Sequence, residues 1–183
     1  MSACKPENMQ EIIEKAKLIR LVIFDVDGVL TDGKLIFDES GREYKCFNTK
    51  DGHGIKMLRN SGVETAVISG RDSRAVSLRM ASLGVTHVFQ GQDDKRAAFD
   101  ELCERLSVSP EQVACVGDDL PDLPLFARAG LAIAVADAHF AVRQHADWCT
   151  SLPGGSGAAR EVCDLVMKAQ QTLDSSIDAY VIA

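Results

Sequence analysis

Carboxylates, a hydroxyl and a lysine stand at the ends of apolar runs, and together they could transfer a phosphoryl group. Asp25 and Asp27 close the apolar run in VIFDVDGVLTDG. Two carboxylates beside a buried strand repel each other and lose hydration, so they call for a cation or a proton. Mg²⁺ takes oxygen ligands and bridges to phosphate oxygens, which makes it the natural candidate. A plain strand-terminal turn into Gly28 is the bland alternative, and the length of the string weighs against it.

Three further segments supply matching groups. Ser69, in VISGR, can hold a phosphoryl oxygen with its hydroxyl and nearby backbone N–H groups, although helix capping is its ordinary role. Lys95, in GQDDKRAAF, sits near a helix start, where the dipole disfavours a cation. A phosphoryl group and an aspartate nearby would give it a purpose; exposed surface charge is the alternative. In VGDDLPDL, Asp119 suits the cap of the following helix and Asp122 its first turn. Asp118 has no such role, which makes it the better metal ligand.

Strand-like runs at about 19–25, 64–68, 86–89, 112–117 and 131–135 alternate with helical patterns at about 7–17, 52–61, 72–83, 94–106, 119–129, 138–146 and 157–171. This alternation predicts a doubly wound α/β domain: a Rossmann-like parallel sheet flanked by helices. Ligands of such sheets lie beyond the carboxyl ends of the strands, where all these polar groups fall. One stretch departs from the alternation. Residues 33–49 read as a β-hairpin flap turning near Glu39–Ser40–Gly41, over the end of the first strand. The tail after Lys168 shows no clear period, and residues 172–183 are expected to fray.

The bulk numbers narrow the class. A chain of 183 residues, 46% hydrophobic and 26% charged, suits a single soluble domain, 1–183. No apolar run approaches the ~20 residues needed to cross a bilayer, and the first residues lack the pattern of a signal peptide. The expected location is cytoplasmic, without a membrane partner. Six scattered cysteines (Cys4, Cys46, Cys103, Cys115, Cys149 and Cys163) read as buried thiols of a reducing compartment. A net charge of −7 argues against a nucleic-acid partner but allows an anionic small substrate in a locally cationic pocket.

Jointly, Asp25-Val-Asp27-Gly-Val, Ser69-Gly70, Lys95 and Gly117-Asp118-Asp119 with Asp122 resemble the haloacid dehalogenase-like phosphatase superfamily. The resemblance implies that Asp25 is a nucleophile forming an aspartyl-phosphate and that Asp27 is the acid and base. It implies Mg²⁺ held by the side chains of Asp25 and Asp118 and the backbone carbonyl of Asp27. Ser69 and Lys95 would position the transferring group, and Asp119 would orient Lys95. Only a hairpin and one helix separate Asp27 from Ser69, so no cap domain fits there. Either the substrate is large or neighbouring subunits close the site through the hairpin, whose position favours closure by oligomerisation.

Over about residues 10–171 the chain further resembles phosphatases of an eight-carbon sugar-acid phosphate used for lipopolysaccharide in Gram-negative bacteria. DVDGVLTDG, FNTKDGHGI, ISGRDSRAVSLR, FQGQDDK, VGDDLPD and GGSGAAREVCDL carry the likeness. It implies a homotetramer acting on a small phosphorylated sugar acid. Substrate positions would be Asp27, Asn48, Thr49, Lys50, Asp51, Gly52, Lys56, Arg71, Arg79 and Lys95, with Arg160 reaching a neighbour's pocket. For Arg79 and Arg160 alone, a solvated helix face is the simpler reading. Lys56 stands where many relatives carry arginine, and His53, read as a loop side chain, where tyrosine is common. The alternatives are a phosphatase for a nine-carbon sugar-acid phosphate, which Arg71 argues against, and a non-enzymatic oligomeric scaffold of the same fold.

Overall fold

A computed structural model describes residues 8–181. After helix α1 (Met9–Leu18) comes strand β1 (Leu21–Phe24), whose four side chains are all buried. The run LVIF is β-branched or bulky throughout, as a strand covered on both faces requires. The hairpin strands β2 (Ile36–Phe37) and β3 (Glu43–Tyr44) follow, then α2 (Thr49–Asn60), β4 (Glu64–Ile68), α3 (Arg74–Leu83) and β5 (His87–Phe89). The second half runs α4 (Arg96–Leu106), β6 (Val113–Gly117), α5 (Leu123–Phe126), β7 (Leu131–Ala134), α6 (Phe140–His145), β8 (Trp148–Cys149), α7 (Ala158–Ala169) and α8 (Leu173–Val181).

The main sheet has six parallel strands in the order β5-β4-β1-β6-β7-β8. The chain builds outward from β1 to β5, then crosses back to β6 on the other side of β1. That reversal opens a crevice beyond the ends of β1 and β6, where such sheets bind ligands. Helix α7 packs against α1 and α2, while α5 packs against α4 and α6. This is the doubly wound α/β fold that the alternating pattern predicts.

The hairpin forms where expected. The side chain of Asp38 turns it, accepting from the backbone N–H of Ser40 and Arg42, each at 2.9 Å. Its apolar side chains Leu35, Ile36, Phe37 and Tyr44 are exposed. Between β1 and β4 the chain holds only this hairpin and α2, and between β4 and β5 only α3, leaving no room for a cap domain.

Several expectations need correction. The helix expected over 119–129 is a 3-10 turn (Leu120–Asp122) followed by the short α5. Pro124 lacks the N–H that a continuous helix there would need, whereas Pro121 sits in the first turn, where proline is tolerated. Strand β8 is two residues long and too short to show a period. The tail holds α8, in which Leu173, Ile177, Tyr180 and Val181 recur at helical spacing. Tyr180 meets the ring of His53 edge-on, with 5.3 Å between centroids. His53 lies in α2, which starts earlier than expected because Asn48 caps it; it is no loop side chain.

Among the cysteines, Cys115 and Cys163 are buried thiols, but Cys46 is exposed and Cys103 partly so. Cys149 is disulfide-bonded, against the expectation of thiols throughout. Disulfide pairing cannot be deduced from the spacing of cysteines alone. Cys4, the start of the first helical pattern and the last two residues of the tail lie outside the described residues.

Candidate active site

The crevice is a cleft of about 350 Å³. Asp25, Asp27, Ser69, Arg71, Lys95 and Asp118 all line it. Each arrives by a short path from a strand end. Asp25 continues β1 and donates its backbone N–H to the Val116 carbonyl at 3.0 Å, so β1 and β6 stay zipped up to the cleft floor. Ser69 ends β4 and is buried, its N–H bound to the Phe89 carbonyl at 2.9 Å. Asp118 follows β6 directly.

Side-chain oxygens of Asp25, Asp118 and Asp122 all lie within 4.8 Å of one another. Burial, with the charge of Asp122 adding to it, pushes Asp25 up to about 6. Burial and the charge of Asp25 push Asp118 up to about 8. Crowded carboxylates of this kind need a cation. Mg²⁺ bonds oxygens at about 2.1 Å, so two ligands of one ion stand about 3–4 Å apart, a spacing this cluster accommodates.

Asp122 is already committed. One of its oxygens accepts from Lys95 Nζ at 2.7 Å and the other from the Asp118 N–H at 3.0 Å. Asp25 and Asp118 are the candidate ligands for a cation, Asp25 also accepting from Lys95 at 2.8 Å. Asp122, not Asp119, holds Lys95; Asp119 caps the 3-10 turn through the Leu120 N–H at 2.8 Å. The sequence expectation gave Asp119 both the cap and Lys95; the cap is where expected, but the 3-10 geometry turns Asp122 inward and gives it the lysine.

Lys95 is buried at the N-terminus of α4, with Nζ 2.8 Å from Asp25. Burial lowers an ammonium pKa, but the charges of Asp25 and Asp122 outweigh it and the net shift is upward. Lys95 thus stays cationic and offsets the unfavourable helix dipole with two carboxylates.

Two side chains escaped the sequence reading. Lys45, from the hairpin, places Nζ on Asp27 Oδ1, and its side chain is only 1% exposed. Glu43, two residues earlier on the same face of the strand, accepts from Arg71 at 2.8 Å and lies 3.4 Å from Lys45 Nζ. Burial raises Glu43, but hydrogen bonds from Ser73 and Arg71 overcome it and the net shift is downward. The signal was the alternation in REYKC, which puts two opposite charges on one face of a short strand and Tyr44 on the other.

The other expected substrate positions cluster around the start of α2. Asn48 caps that helix by accepting from the Lys50 N–H at 2.8 Å. Thr49, Lys50 and Lys56 are exposed, and Gly52 is buried beneath Arg79. Arg79 is half-buried, not a solvated helix residue: it lies over the Phe47 ring at 5.9 Å and reaches the Asn48 carbonyl at 3.4 Å. The Asp51 carboxylate is taken by the N–H groups of Gly157 and Arg160, at 3.3 and 2.8 Å. Arg160 pairs with Asp164 on its own helix at 2.8 Å. None of these residues lines the cleft.

With this geometry in place, the comparisons fall into line. Residues 82–161 match the family of haloacid dehalogenase-like hydrolases. The chain is 47% identical over 176 residues to the 3-deoxy-D-manno-octulosonate 8-phosphate phosphatase KdsC of Escherichia coli K12, covering 96% of this chain and 94% of that protein. The crystal structure of the same phosphatase from Yersinia pestis superposes with a TM-score of 0.89 at 47% identity, over 90% of this chain and 89% of that one. The Moraxella catarrhalis phosphatase, crystallised in complex with magnesium ion, phosphate ion and KDO, gives a TM-score of 0.92 at 43% identity, over 94% and 99% of the two chains. The chain belongs to the 3-deoxy-D-manno-octulosonate 8-phosphate phosphatase family of the haloacid dehalogenase-like hydrolases.

Proposed function

We propose that this protein hydrolyses 3-deoxy-D-manno-octulosonate 8-phosphate to 3-deoxy-D-manno-octulosonate and inorganic phosphate, as a step of lipopolysaccharide biosynthesis. The observation that carries the reading is the meeting of Asp25 and Asp118 within 4.8 Å, from two separate strands, beside buried Lys95. Asp25 and Asp118, with the Asp27 backbone carbonyl, would hold Mg²⁺. When bound, the ion offsets the negative charge of the carboxylates and of the phosphoryl oxygens.

The chain's own groups account for the rest. Asp25 is the nucleophile, and Lys95, 2.8 Å away, holds its carboxylate in place and adds positive charge where the phosphoryl group is transferred. Ser69 and backbone N–H groups at the end of β4 bind a phosphoryl oxygen. Asp27 gives a proton to the departing sugar oxygen and later removes one from water. Arg71, on the cleft wall, supports recognition of a second anionic group on the substrate. Asn48, Thr49, Lys50, Lys56 and Arg79, outside this cleft, would form a second shelf for the sugar acid, while buried Asp51 and Gly52 shape the start of α2 beneath them.

The open cleft and the apolar outer face of the hairpin support closure by neighbouring subunits in a homotetramer. Among the described residues, no helix is long and apolar enough to cross a membrane. A phosphorylated sugar acid is too charged to cross one unaided, so the proposed compartment is the cytoplasm.

Phosphate release from the eight-carbon and nine-carbon sugar-acid esters, assayed in parallel with Mg²⁺, tests the assignment. Faster turnover of the eight-carbon ester, lost in Asp25→Asn, is the expected result. Preference for the nine-carbon ester would move the substrate, and no release from either would remove the enzyme.

A further inference from the structure

The hairpin reaches the site through one side chain, Lys45, whose Nζ pairs with Asp27 Oδ1. Lys45 lies behind Asp27 and is not among the residues that line the cavity. Its side chain is 1% exposed, against 45% for Arg71, so it is shielded from a substrate arriving from solvent. Lysine is rarely buried to this degree without a purpose, because its ammonium must be paired. Here the partners are Asp27 Oδ1 and Glu43, and Arg71 in turn anchors Glu43.

The two oxygens of Asp27 differ. Oδ1 carries Lys45, whereas Oδ2 is buried with no hydrogen-bond partner. The Arg71 Nε lies 3.7 Å from Oδ2, beyond hydrogen-bond reach. An ammonium has three donors and no acceptor. A proton on Oδ1 would therefore face another donor, and Oδ2 is the oxygen able to carry it. A buried oxygen left without a partner marks a site reserved for a group yet to arrive.

We infer that Lys45 is a positioning residue that pins Asp27 through Oδ1 and thereby assigns Oδ2 to proton exchange with the leaving oxygen and with water. This rests on the phosphatase reading above. In the first half-reaction an Asp25 oxygen bonds to phosphorus, the ester P–O bond breaks, and the departing alkoxide takes the Oδ2 proton. In the second, a water oxygen bonds to phosphorus and returns a proton to Oδ2. The bond between phosphorus and Asp25 then breaks. The hairpin thus sets the acid and base of the reaction.

Single-turnover kinetics on Lys45→Met, with the sugar-acid ester and with p-nitrophenyl phosphate, provide the test. The first transfer to Asp25 from the alkyl ester needs a proton, while p-nitrophenolate leaves without one. We expect the first turnover to slow roughly 10- to 100-fold for the sugar-acid ester, up to the lower end of what general acid catalysis supplies because Asp27 itself remains, and by less than about 3-fold for the aryl ester. In an Asp27→Asn background the same substitution is expected to add no further loss, because Lys45 acts through Asp27. Equal slowing of both esters, or an undiminished loss in the Asp27→Asn background, would overturn the inference. If Lys45→Met does not fold, Lys45→Gln carries the same comparison. An inactive wild type would instead remove the phosphatase reading, while an active wild type unaffected by either Lys45 variant removes only this inference.

Discussion

The Asp118 carboxylate rests directly against Gly28. A Cβ added at Gly28 would stand 2.1 Å from Asp118 Oδ2, and the backbone there has φ +93°. Gly28 is therefore fixed by two independent demands: a left-handed turn and the room that Asp118 needs. Gly28→Ala is expected to displace Asp118, weaken Mg²⁺ binding and lower kcat by about 100-fold, the scale of a roughly 1 Å misplacement at a reacting centre. A Mg²⁺ titration of activity checks it; near-normal kcat and Mg²⁺ dependence would contradict the assignment of Asp118.

The raised carboxylates make the metal-free protein sensitive to pH. A carboxyl group whose folded pKa lies above its unfolded value contributes stability that is full below the unfolded value and lost as pH rises through the folded one. For Asp25 and Asp118 the folded values are about 6 and about 8, against ordinary values of 3.8. Metal-free protein should thus lose stability progressively between about pH 4 and 8. Added Mg²⁺ should raise Tm more near pH 8 than near pH 5, because the ion competes with protons for the same oxygens. Thermal melts of wild type and Asp118→Asn with and without Mg²⁺ measure this, and a Mg²⁺ effect that shrinks with rising pH would be the opposite of the expected trend.

Asp122 and Asp119, close in sequence, should respond differently to the same change. Asp122 holds Lys95 at 2.7 Å and the Asp118 N–H at 3.0 Å. Asp122→Asn removes the charge from a buried pair, so kcat should fall by about 100-fold and Tm should drop. Asp119→Asn keeps a capping acceptor and should cost at most about 1 kcal/mol. Equal damage from the two would restore Asp119 as the partner of Lys95.

Asp51 predicts a stability effect remote from the cleft. Its carboxylate receives the N–H groups of Gly157 and Arg160 and so ties α2 to the start of α7. Asp51→Ala should destabilise by about 1–3 kcal/mol through those unpaired buried donors. In a chain of this length that lowers Tm by roughly 2–12 °C. An unchanged melting curve would show that water replaces the carboxylate.

Five of the six strands were legible in sequence because each is a continuous apolar run, and four of those runs lead to a group with chemistry to do. Asp25, Ser69, Lys95 and Asp118 follow strands directly or by a short loop, so the alternation alone brought them to one edge. The pairing of Lys95 with Asp122 was hidden, since a 3-10 turn and a helix start favour the same residue types and differ only in where side chains point. Lys45 and Glu43 were hidden for another reason. The alternation in REYKC places both on one face, but on so short a strand those charges look like ordinary surface polarity until Lys45 meets Asp27. The α8 stripe escaped because Ile177, Tyr180 and Val181 remain exposed, so they were not chosen to fill this core.

The crossing of the chain from β5 back to β6 has a consequence for folding. Asp25 comes from the first strand of the sheet and Asp118 from the strand laid beside it only after that return. A partly folded molecule, with β1, β4 and β5 docked, would own a nucleophile but no cradle for the cation. Divalent-ion affinity is therefore a property of the completed topology. The ion should bind the native state selectively and draw the folding equilibrium toward it by mass action.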